Sequence, residues 1–167
     1  MKSSFPDLLK RLDDCQVDHI LVGGMAANLH GSPITTMDCD IVVSLDSDNL
    51  SKLARALSPL SPTFRHKDPP QTFNEEVAAR DGWKNIYLNT SAGVLDCLGD
   101  IKGIGDFAEC KARSLEVDLG GFSIRVLTRE ALITAKKAMG RPKDLLTVAQ
   151  LEIGGELNGD SPSSASD

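Results

Sequence analysis

Asp38-Cys39-Asp40-Ile41-Val42-Val43, with Leu21-Val22-Gly23-Gly24 upstream of it, is the stretch that decides how this chain is read. The period-2 alternation of a strand puts the Asp38 and Asp40 carboxylates on one face and Cys39, Ile41 and Val43 on the other. Two neighbouring carboxylates repel, and one pKa rises unless something positive sits between them. A hard divalent cation fills that role, because Mg²⁺ takes one or two carboxylates plus phosphate oxygens and keeps its remaining waters. The pair is therefore expected to serve phosphate and metal.

Gly23-Gly24 closes the apolar run His19-Ile20-Leu21-Val22 and precedes a short helix over Met25 to His30 that stops at Gly31. Backbone N–H groups at such a junction can face an anion without side-chain obstruction. Taken alone, the same glycines are also a bare tight turn. The dinucleotide fingerprint G-x-G-x-x-G does not occur there. A third carboxylate, Asp96, interrupts the apolar strand Gly93-Val94-Leu95-Asp96-Cys97-Leu98. An isolated buried Asp is expensive. If that strand lies beside the Asp38 strand, three carboxylates converge, as two-metal phosphoryl chemistry requires. On a sheet edge, Asp96 would be an exposed residue instead.

Other segments frame these motifs. A helix over residues 5 to 15 follows the Ser4-x-x-Asp7 capping signal, and Asp46-Ser47-Asp48 can cap a helix that buries Leu50, Leu53, Ala54 and Leu57 and ends at Pro59. Residues 58 to 72 carry four prolines and read as an extended edge or loop. Strands are expected near Trp83 to Asn89 and at Gly93 to Leu98, and Gly120-Gly121 joins a hairpin between Leu115–Leu119 and Phe122–Leu127. Thr128 can cap a helix to Met139, where Lys136 falls between Leu132 and Ile133 inside the apolar arc. A lysine aimed inward must snorkel or meet an anion, and phosphate oxygens are the functional partner. Pro142 opens a further helix with Leu145, Leu146, Ala149 and Ile153. The expected architecture is α/β (α+β), a mixed sheet with helices packed against it, as one domain over residues 1–157 with a disordered tail over 158–167.

Composition narrows the classes. A net charge of −6 argues against a broad nucleic-acid surface but leaves room for a small anionic substrate in a locally positive pocket. No apolar run is long enough to span a bilayer and the first residues lack a signal-peptide core, so no membrane partner and a cytoplasmic location are expected. Cys15, Cys39, Cys97 and Cys110 have no metal-ligand spacing and read as reduced core residues. His19, His30 and His66 show no ligand spacing either.

Together, Leu21 to Ala26, Gly31, Thr36-Met37-Asp38-Cys39-Asp40, Asp96, Leu132-Ile133 with Lys136, and Gly140-Arg141-Pro142-Lys143-Asp144 resemble the minimal nucleotidyltransferases of the DNA polymerase β-like superfamily, over residues 17 to 150. The resemblance implies Mg²⁺ held by Asp38 and Asp40, with Asp96 as metal ligand or base for the acceptor hydroxyl, and two ions when nucleotide is bound. It implies a nucleoside triphosphate whose phosphates meet Gly23, Gly24, Thr36, Lys136 and Arg141. The acceptor is open: a small molecule, a protein or an RNA, as in antibiotic adenylyltransferases or toxin–antitoxin relatives. Many relatives carry an arginine shortly before the Thr-x-Asp-x-Asp stretch, where this chain has Ile34. That departure sustains a second reading, a catalytically weak nucleotide-binding or regulatory module. The acceptor pocket is expected in residues 60–80 and 99–113, on which the motifs are silent.

Overall fold

The computed structural model describes Ser4 to Gly159, with side chains to Gly154. In chain order these residues form α1 (Phe5–Asp14), β1 (His19–Val22), α2 (Gly23–Leu29), β2 (Asp38–Val43), α3 (Ser47–Leu57), β3 (Thr63–Phe64), α4 (Glu75–Ala78), β4 (Asn85–Thr90), β5 (Gly93–Leu98), β6 (Asp100–Ile101), β7 (Gly105–Asp106), α5 (Phe107–Ala112), β8 (Ser114–Asp118), β9 (Ser123–Leu127), α6 (Arg129–Met139) and α7 (Pro142–Gly159). Seven strands make one mixed sheet in the order β3-β4-β5-β2-β1-β9-β8, and β6 and β7 pair as a separate short ribbon. β2 runs parallel to β5 and β1 parallel to β9, while the other pairings are antiparallel.

Local chemistry explains the boundaries. In α1, Ser4 and Asp7 exchange hydrogen bonds as a capping box, and Leu8, Leu9 and Leu12 turn into the core. Asp46 caps α3 through the Asn49 N–H, and Leu50, Leu53, Ala54 and Leu57 are buried. The sheet face formed by Cys39, Ile41, Val43, Leu95 and Cys97 is fully covered and joins α1 and α3 in one hydrophobic core. Burying these side chains contributes roughly 1.5–3 kcal/mol each before entropy is counted. Gly120 and Gly121 both have positive φ, the backbone that a two-residue hairpin turn demands, and Leu119 and Phe122 bond across it.

Several expectations are refined. Gly23 and Gly24 belong to the first turn of α2 itself, and β4 starts at Asn85 rather than Trp83. α4, α5 and the β6/β7 ribbon occupy segments with no regular signal: none of them exceeds six residues, too short for a hydrophobic period to register. In α7 the inward face is not the leucine-rich one. Leu145, Leu146 and Ile153 are 50%, 56% and 58% exposed, whereas Asp144, Thr147, Val148 and Leu151 are buried. The ion pairs of Asp144 with α6 and with Arg141, set out below, fix that rotation. The tail was expected over residues 158–167; α7 runs through its first two residues to Gly159, and residues 160–167 lie outside the described residues. Among the described residues, no helix is long and apolar enough to cross a membrane.

Candidate active site

Strand register assembles the acidic patch. Asp40 of β2 lies directly opposite Asp96 of β5, with Asp38 two residues away on the same face of β2. β5 is thus a central strand, and the Asp96 side chain is 17% exposed rather than an edge residue in water. The three carboxylates that the sequence singled out do share one patch. Burial first, then the negative charges of Asp96 and Asp38, push the Asp40 carboxyl up to about 6. Lys136 opposes the shift, and the hydrogen bond that a protonated Asp40 can give Asp96 adds to it. Directly behind them, burial and then the Asp40 and Asp96 charges push the Cys39 thiol up to about 12, so this cysteine is an inert core residue.

Gly23 and Gly24 are placed against this patch. Gly23 has φ +67°, and a Cβ there would run into the Asp40 carboxylate. A Cβ at Gly24 would lie 2.9 Å from the Cβ of Thr36. Glycine is therefore required for the β1–α2 backbone to approach Asp40 and Thr36 so closely. Thr36 Oγ1 in turn lies 3.4 Å from the Asp38 N–H that donates to it, which fixes the entry to β2.

A cavity of about 190 Å³ opens over these residues, lined by Gly24, Thr36, Asp38 and Asp40 on one side and by Lys136, Arg141 and Lys143 on the other. Ile34 and Thr35 also line it, so three cations from the α6–α7 junction supply positive charge where an arginine at position 34 would have done so. A second cavity of about 290 Å³ shares Asp40, Lys136 and Arg141 with the first and continues over apolar Val22, Leu98 and Leu132 to Asn85. Residues Asp100, Ile101 and Lys102, within one of the two silent segments, border it. A larger cavity, about 630 Å³, lies at α3 between Arg55 and Phe73 and contains none of the expected site residues.

Two partnerships escaped the sequence. Asp144 is fully buried and accepts from Arg141 Nε at 2.6 Å, Arg141 Nη2 at 3.2 Å and Lys136 Nζ at 3.4 Å. Burial pushes its carboxyl up, but the Arg141 hydrogen bond and the two positive charges outweigh burial and hold it below the usual carboxylate range. The inward lysine thus meets an anion from its own chain. The signal was present as an Asp two residues after Pro142, and the Arg141 N–H does bond back to that Asp. The second partnership is an ion pair from Arg65 Nη2 to Asp96 Oδ1 at 2.6 Å. Arg65 follows β3 in the proline-rich segment and reaches Asp96 across β4, lying over the Tyr87 ring at 5.3 Å. No local pattern could have announced it, because the contact spans two strand pairings.

Among the described residues, no three His, Cys, Asp or Glu side chains are gathered tightly enough to hold a cation alone. Mg²⁺ does not require such a cage, since it is held by one or two carboxylates together with substrate phosphates and water. Side-by-side hard oxygen donors, with Asp40 pushed up by burial and then by its acidic neighbours, fit that ion. The histidines stand apart: His19 bonds the Val17 carbonyl and His30 the Leu127 carbonyl.

No family model matches this chain, and no curated protein matches it in sequence. Solved structures do. A candidate nucleotidyltransferase from Thermotoga maritima superposes with a TM-score of 0.55 at 18% identity, over 93% of this chain and 91% of that one. ANT(2'')-Ia, solved with adenylyl-2''-tobramycin, gives 0.58 at 16% identity over 92% and 89%. The lincosamide antibiotic adenylyltransferase LnuA, solved with lincomycin bound, gives 0.58 at 15% identity over 91% and 98%. This chain has the nucleotidyltransferase fold.

Proposed function

We propose that this protein is a Mg²⁺-dependent nucleotidyltransferase that moves a nucleoside monophosphate from a nucleoside triphosphate to an acceptor hydroxyl. In this reading residues 1–157 act as one catalytic domain, in the cytoplasm where the donor is made. The observation that carries it is the opposition of Asp40 and Asp96 in one register, with Gly23 pressed on Asp40 and a cation-lined cavity above.

Asp38 and Asp40 would hold Mg²⁺, with Asp96 as a third ligand or as the base, and two ions would be present once nucleotide is bound. Bound there, Mg²⁺ supplies charge neutralisation at the phosphates and lowers the pKa of the attacking hydroxyl. Gly23, Gly24 and Thr36 form the wall along which the triphosphate lies, and Lys136 and Arg141 neutralise its oxygens. The acceptor oxygen forms a bond to the α-phosphorus as the bond to the β-phosphate oxygen breaks. Pyrophosphate leaves with that electron pair, and the hydroxyl proton passes to Asp96. The Asp96 oxygen not engaged by Arg65 is the one available for it.

The test follows label from the α-phosphate of each nucleoside triphosphate into an acceptor or the protein itself, with Mg²⁺. Transfer is expected in the native chain and not in Asp38→Ala or Asp40→Ala; equal transfer by the variants would overturn the assignment. A second reading, a nucleotide-binding or regulatory module such as a toxin–antitoxin component, is favoured by Ile34 and by the tie of Asp96 to Arg65. It predicts thermal stabilisation by nucleotide and Mg²⁺, sensitive to Asp40→Ala, without any transfer.

A further inference from the structure

A fourth cavity, of about 230 Å³, lies at the β3–β4 side of the sheet. Arg65, Lys67 and Arg80 line it together with Trp83, Asn85 and Tyr87, and no carboxylate does. Asn85 also borders the cavity that contains Asp40, so the two spaces meet at one residue. Arg65, which lines this cavity, also bonds Asp96, and Asp96 stands opposite Asp40 in the sheet. Lys67 and Arg80 are exposed and make no ion pair among the described residues. Asp68 and Asp81, their neighbours in sequence, are exposed, line no part of the cavity and pair with neither. Three converging cations on a chain of net charge −6 are not an average surface. Arg65 has Asp96 as its counterion, but Lys67 and Arg80 have none among the described residues, and like charges held beside one another are destabilising unless an anion joins them.

We propose that this cavity is the acceptor subsite and that the acceptor is an anionic alcohol, one whose phosphomonoester or carboxylate is held by Arg65, Lys67 and Arg80 while its hydroxyl is presented toward Asp96. The inference rests on the nucleotidyl-transfer reading and deepens it by naming the acceptor class. It also separates this chain from the neighbour solved with adenylylated tobramycin, because a polycationic aminoglycoside would be repelled from these walls.

Trp83 is the one tryptophan of the chain and lines the cavity, so its fluorescence reports occupancy directly. The full chain is first saturated with Mg²⁺ and pyrophosphate, which fills the other cation-lined cavity, and then titrated with glycerol 3-phosphate, glycerate, glycerol or tobramycin. Expected is a saturable change with glycerol 3-phosphate or glycerate, at least tenfold tighter than with glycerol and absent with tobramycin. Whichever of the two anions binds tighter identifies the group recognised. The double variant Lys67→Glu/Arg80→Glu should weaken that binding at least tenfold while stabilisation by Mg²⁺ and pyrophosphate persists. Binding of neither anion, equal binding of tobramycin, or indifference to charge reversal would overturn the inference and leave the transferase reading standing. Failure of Mg²⁺ and pyrophosphate to stabilise the native chain would instead strike the transferase reading, and the acceptor assignment with it.

Discussion

The two charged centres of this molecule are built on opposite principles. At the middle of the sheet, Asp38, Asp40 and Asp96 crowd negative charge together and Asp40 titrates upward to about 6. At the α6–α7 junction, buried Asp144 is encircled by Arg141 and Lys136 and its carboxyl is held below the ordinary range. The first centre has three carboxylates against the one Arg65 guanidinium that pairs with Asp96, and under the proposed function a cation would offset the remainder. The second is complete within the chain, and its surplus positive charge faces the shared cavity. One region carries an excess of negative charge, whereas in the other the buried carboxylate is balanced within the chain.

The sharpest way to break this contrast is at Asp40. Under the proposed function, Asp40→Ala is expected to reduce nucleotidyl transfer by at least about a thousandfold, since it would remove a carboxylate assigned to the metal. The fold should survive, which circular dichroism and a thermal melt would establish. Asp144→Ala should destabilise the fold by about 3 kcal/mol, because it leaves the half-buried Lys136 without its partner. A melting temperature that stays put would show that Asp144 is not the structural counterion described here.

Titration separates the centres again. Folding raises the Asp40 pKa from 3.8 to about 6, so protonated Asp40 favours the folded state. Its contribution is present below pH 3.8 and is lost as pH climbs through about 6, on the order of 2 to 3 kcal/mol in chelator-treated protein. Measured as native chain against Asp40→Asn between pH 4 and 7, that loss should vanish in the variant and be reversed by added Mg²⁺. Equal pH profiles would mean that Asp40 is neither desolvated nor repelled by Asp96 and Asp38 as its surroundings imply. The mildest effect is expected from Ile34→Arg, which adds a guanidinium to the first cavity and should tighten Mg²⁺–nucleotide binding roughly three- to tenfold. Unchanged affinity would indicate that Lys136, Arg141 and Lys143 already satisfy the phosphates.

Much of the frame was legible because its causes are local. The alternation around Cys39 and Ile41, the capping at Ser4 and Thr128, and the hairpin glycines each act within a few residues, and each element formed where expected. Alternation alone placed Asp38 and Asp40 on one face. The rotation of α7 was not legible, for an equally physical reason. Its leucines suggested an apolar inner face, but the α6 lysine and the Arg141 guanidinium drew Asp144 inward and left Leu145 and Leu146 in water.

What the sequence determined by itself was therefore the set of elements and the identity of the acidic residues, since side-chain period, caps and turns follow from backbone geometry over short spans. Only the tertiary structure decided that Asp96 stands opposite Asp40, that Arg65 reaches it from the sheet edge, and that Asp144 neutralises Lys136. Those contacts join residues with no periodic relation in the chain, and electrostatics between them exists only once strand pairing and helix packing have brought the charges within a few ångströms.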